Sequence, residues 1–64
     1  MRLTVFWERM GERFGTAYAD SVARDVSLAA LGGRTATEAL AAGEKPREVW
    51  LAVCELFEVP AKDR

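Results

Sequence analysis

Sixty-four residues can hold one domain around one apolar core, close to the smallest chain that folds without disulfides or a metal. Half of the residues are apolar, with two Trp, one Tyr and three Phe, a composition that excludes a disordered, solvated segment. Nine basic and ten acidic side chains leave a net charge of -1, which excludes a long-range field that would steer the chain onto nucleic acid or an anionic membrane.

The amino terminus has an apolar run from Leu3 to Trp7 that Glu8 interrupts, too short for a signal peptide or a membrane span, so a cytoplasmic protein is expected. Leu3, Phe6, Trp7, Met10 and Phe14 then recur at three- and four-residue steps. This spacing predicts a first helix with Thr4 as its N-cap and Gly15 just past its end. Gly11 lies beside the apolar face inside that helix, where it costs about 1 kcal/mol against alanine, and close approach of another backbone is the expected reason for it.

The second segment starts at Thr16 and puts Tyr18, Val22, Val26 and Ala29 on one stripe. Leu28 and Leu31 fall on a rotated stripe, which predicts a kink or break between Arg24 and Ser27 before Gly32 and Gly33 close the segment. No strand signal is visible. Thr35 and Glu38 have the spacing of a capping box, opening a short helix that turns Ala36, Ala39 and Leu40 inward and stops at Gly43. Pro46 suits the first position of a last helix, which runs to Phe57 or Glu58 because Val59-Pro60 forbids continuation. Val49, Trp50, Val53, Leu56 and Phe57 share one face of it, while Arg47, Glu48, Glu55 and Glu58 lie opposite. Leu51 here and Val5 in the first helix are stranded among charges.

These elements predict an all-α fold, a small compact bundle of three to four helices forming a single domain over residues 1–64. Its core is expected to contain Leu3, Phe6, Trp7, Met10, Phe14, Tyr18, Val22, Leu31, Leu40, Val49, Trp50, Val53 and Phe57.

No residue set points to catalysis. With no histidine, no serine or cysteine has a positioned imidazole base, and a zinc site would need Cys54 and carboxylates alone. Glu8 and Glu12 stand one turn apart beside Arg9 and Arg13, the pattern of a salt-linked solvated face. Cys54 reads as a small buried hydrophobe, and Gly32-Gly33-Arg34 lacks the Lys-Ser/Thr pair of a phosphate loop. No enzyme, cofactor or metal is expected.

Residues 36–58 have the cadence of a helix-turn-helix, with Ala39, Gly43 and Val49 at its small, turn and locking positions; Lys45 and Arg47 would be the DNA contacts. Glu44, however, follows the turn glycine where such motifs bury an apolar side chain, and Arg47 stands against Glu48, Glu55 and Glu58. Phosphate contacts depend on cations, so a structural corner is preferred and a DNA reader is the alternative.

The ordered combination Phe6-Trp7, Phe14-Gly15, Tyr18-Ala19-Asp20, Leu31-Gly32-Gly33-Arg34-Thr35 and Val49-Trp50 closely resembles the domain of unknown function 3046 family, short proteins of high-GC Gram-positive bacteria. The resemblance covers practically the whole chain and implies a small cytosolic helical protein, with no catalytic residues to carry over. The leading functional expectation is a protein interaction module whose partner is another protein or itself, with no membrane. Val5, Arg34 and Leu51 are its candidate surface residues.

Overall fold

In the computed structural model, which describes Met1 to Arg64, four α-helices carry the chain: α1 (Leu3–Phe14), α2 (Thr16–Asp25), α3 (Ala36–Ala41) and α4 (Pro46–Leu56). α1 begins two residues earlier than a Thr4 cap would start it; Arg2 takes the extended N-cap conformation and no side chain caps the end. Gly15 alone separates α1 from α2. Its amide donates to the Gly11 carbonyl at 2.8 Å, its carbonyl accepts from Ala19 at 2.8 Å, and its φ of 85° is in the left-handed region open to glycine. One residue thus ends one helix and starts the next in a new direction.

α2 breaks at Val26, inside the predicted interval. The residues beyond the break form strands that the sequence does not signal, a correction to the expectation of none: Ser27–Leu28 (β1) pairs antiparallel with Arg34–Thr35 (β2), Ser27 opposite Thr35 and Leu28 opposite Arg34. Ala29–Leu31 forms a single 3-10 turn between them, closed by Gly32 in the left-handed conformation. Two-residue strands are too short for any alternation to show in the sequence. The capping box forms as predicted, with Glu38 N–H donating to Thr35 Oγ1 at 3.1 Å and Thr35 N–H donating to Glu38 Oε1 at 2.9 Å.

Both later helices end in the same way. After α3, Glu44 N–H donates to the Ala39 carbonyl with Gly43 at φ 93°; after α4, Val59 N–H donates to the Cys54 carbonyl with Glu58 at φ 54°. These are the bonds of a Schellman closure, in the second case with a carboxylate residue where glycine is usual. The closure drives Val59 into the core, where it is almost fully buried. The following 3-10 turn, Ala61–Asp63, folds back over α4: Trp50 Nε1–H donates to the Arg64 carbonyl at 2.9 Å and Arg64 Nε–H to the Val59 carbonyl at 2.8 Å.

The core consists of Phe6, Met10, Ala19, Val22, Ala23, Leu28, Ala36, Ala39, Val49, Trp50, Ala52, Val53, Cys54 and Val59, with no polar side chain among them. Phe14, Leu31, Leu40 and Phe57 pack partly buried against it. Leu3, Trp7 and Tyr18, expected inside, are exposed, and so is Leu56. Five alanines take inner positions instead, letting the helices approach closely, so the interior fills with fewer large side chains than the apolar stripes supply.

Candidate interaction surface

The displaced apolar residues of α1 collect on one side. At about 100° per residue, Leu3, Trp7 and Gly11 form a stripe one turn apart, offset from the inward pair Phe6 and Met10. With Thr4, Glu8, Glu12 and Thr16, the first residue of α2, they line an open groove of about 740 Å³. Leu3 is 49% and Trp7 36% exposed. The Trp7 ring is held from one edge by buried Phe6, centroids 5.1 Å apart at 84°, so the exposed ring is braced by the core.

Gly11 forms the floor of this groove. A Cβ placed on it would meet only Thr16 Cγ2, at 3.9 Å, an ordinary van der Waals contact. No backbone of the chain approaches closely there, so the intramolecular packing reason expected for this glycine is absent. Glu8 and Glu12 stand along the groove, and neither forms an ion pair. The expected salt-linked face of Glu8, Glu12, Arg9 and Arg13 does not form; the ion pairs present are Asp20–Arg24 and Arg34–Glu44. At helical spacing, Arg2, Arg9 and Arg13 lie on the far side of α1 from Trp7 and Gly11.

The residues singled out from the sequence do not gather into one patch. Val5 and Leu51 are each half-buried, on α1 and α4. Arg34 is drawn inward: its Nε–H donates to the Leu31 carbonyl at 3.0 Å and its Nη2 pairs with Glu44, tying the β1–β2 loop to the α3–α4 turn. The turn position where a helix-turn-helix places an apolar side chain is thus an ion-pair partner. The α3–turn–α4 corner itself is present, with Lys45 at the α4 N-cap and Arg47 in its first turn, both exposed. The outward face of α4 nevertheless carries Glu48 and Glu55 as well, and phosphate would meet carboxylates along it.

A second, more enclosed cleft of about 400 Å³ is lined by Arg9, Glu12, Arg13, Trp50, Val59, Lys62 and Asp63. Cys54, one turn along α4 from Trp50, is fully buried. Burial pushes its thiol above the ordinary value, opposed by the nearby charges of Arg64, Arg13 and Arg9, so it is a protonated core residue rather than a ready nucleophile. No three of the cysteine, aspartate and glutamate side chains converge as a ligand set for a metal ion. No helix is long and apolar enough to cross a membrane.

Residues 1–62 match the sequence profile of the family described as Protein of unknown function (DUF3046). The chain belongs to that family. No curated protein and no solved structure matches it. Membership in the DUF3046 family assigns no residue a role, so a functional reading of this member rests on the surface its own fold leaves open: the α1 groove, whose apolar residues stripe periodicity alone assigns to the core.

Proposed function

We propose that this DUF3046 protein is a non-catalytic protein interaction module that docks a partner on the α1 groove. The supporting observation is the exposed pair Leu3 and Trp7, braced by Phe6 beside Gly11, on a chain whose own residues already fill its core. A rigid, half-desolvated tryptophan is the kind of side chain that dominates binding energy at protein interfaces. The absence of histidine from the sequence supports the non-catalytic half of the reading.

The test is retention of lysate proteins on immobilised wild-type protein, a Leu3→Ala/Trp7→Ala variant and a Gly11→Ala variant. Circular dichroism verifies that each variant is folded. A protein retained by the wild type and lost from both variants supports the reading. Equal retention by all three, or none above a blank matrix, overturns it. Gly11→Ala keeps the test decisive, because alanine favours the helix and its loss of retention cannot come from unfolding.

A further inference from the structure

Resting on the interaction reading above, we infer that the α1 groove receives an amphipathic helix whose apolar seam is flanked by lysine or arginine and whose backbone seats against Gly11. Three observations carry this. The groove offers no row of alternating free donors and acceptors, because past the uncapped first-turn amides, at Leu3 and Thr4 on the groove, the backbone of α1 is paired within the helix, so an extended strand has no edge to pair with. A helix needs only a shape match, and the stretch from Leu3 to Glu12 spans about 14 Å, roughly two and a half turns.

Gly11 supplies the shape. A missing side chain in mid-helix carries a folding cost, and nothing within the chain occupies the space it leaves. A second helix can come closest to α1 at that point, with its seam side chains falling against Leu3 and Trp7. The charge selects the partner. Both ionisable side chains on the groove, Glu8 and Glu12, are acidic and unpaired. A second copy docking groove to groove about a two-fold axis would bring the same carboxylates together; Arg9 and Arg13 border Glu12 only in the cleft on its other side, away from Trp7 and Gly11, and form no ion pair with it. A cationic helix neutralises the groove carboxylates.

The probe is a displayed library of peptides of about 18 residues, long enough to form a helix on docking. Seam positions sample Leu, Ile, Met, Phe and Trp, and flanking positions sample Lys and Glu at equal odds. Selection on the intact protein is expected to enrich Lys at the flanks. Selected peptides should shift the Gly11 amide and the Trp7 indole in NMR spectra, and weaken by about tenfold or more on Glu8→Gln/Glu12→Gln, on Gly11→Ala, and on raising salt from roughly 50 to 300 mM.

Enrichment of Glu at the flanks, or peptides that shift residues elsewhere, overturns the inference and leaves the interaction module standing. So does self-association through the groove, seen by light scattering with shifts at Trp7 and Gly11. Selected peptides that bind Gly11→Ala as tightly as wild type overturn the seating on Gly11. If the library yields no binder, the inference fails; the module reading fails as well only if lysate retention is also absent or independent of Leu3, Trp7 and Gly11.

Discussion

Replacing Gly11 by alanine is expected to make the protein more stable. The position is mid-helix in α1, where alanine is favoured over glycine by about 0.8–1 kcal/mol. The added methyl meets one atom at 3.9 Å, so no clash subtracts from that gain. Unfolding entropy of about 2.1 cal/mol/K per residue gives roughly 0.13 kcal/mol/K for this chain. The expected rise in Tm is therefore about 6–7 °C, read by circular dichroism melts at 222 nm and by a matching shift in urea midpoint with unchanged slope. An unchanged or lower Tm would contradict this account, because it would mean that Gly11 serves the fold itself and not the surface above it.

Four further outcomes are expected. Phe6→Ala, at a fully buried site, costs about 3–5 kcal/mol and leaves so small a domain largely unfolded, whereas Leu3→Ala, at a half-exposed site, costs about 1 kcal/mol or less; chemical denaturation compares the two. Glu58→Gly relieves a left-handed non-glycine residue in the α4 closure, raising stability by about 0.5–1 kcal/mol by the same measurement. The folded-state value of Cys54 is raised, so the native state holds its proton more tightly than the unfolded chain. The resulting stability is complete below the thiol's ordinary value of 9.0 and is lost as pH rises above it; Cys54→Ala should flatten the fall in Tm measured from pH 8 upward. Fluorescence anisotropy with labelled duplex DNA is expected to show no binding even at low salt, given the acidic outward face of α4.

Local chemistry is written plainly in the chain. The Thr35–Glu38 capping box, the start of α4 at Pro46, the glycine that ends α1 and the break after Asp25 each depend on one or two residues and the hydrogen bonds or dihedrals they permit, so the sequence alone determines them. Which side of each apolar stripe faces inward is not set by such terms. Periodicity groups Leu3, Phe6, Trp7 and Met10 on one broad face, but only the crossing of α1 with α2 and α4 puts Phe6 and Met10 inside and leaves Leu3 and Trp7 on a groove. Ala19, Ala23, Ala36, Ala39 and Ala52 carry too little apolar area to announce themselves as core, and Val59 is inward only because Glu58 turns left-handed. The β1–β2 pairing and the Arg34–Glu44 contact likewise join residues whose proximity exists only after the loops close. Stripe hydrophobicity is a property of one helix. Burial belongs to at least two, and the candidate docking face of this protein is the part of a stripe that its own neighbours leave uncovered.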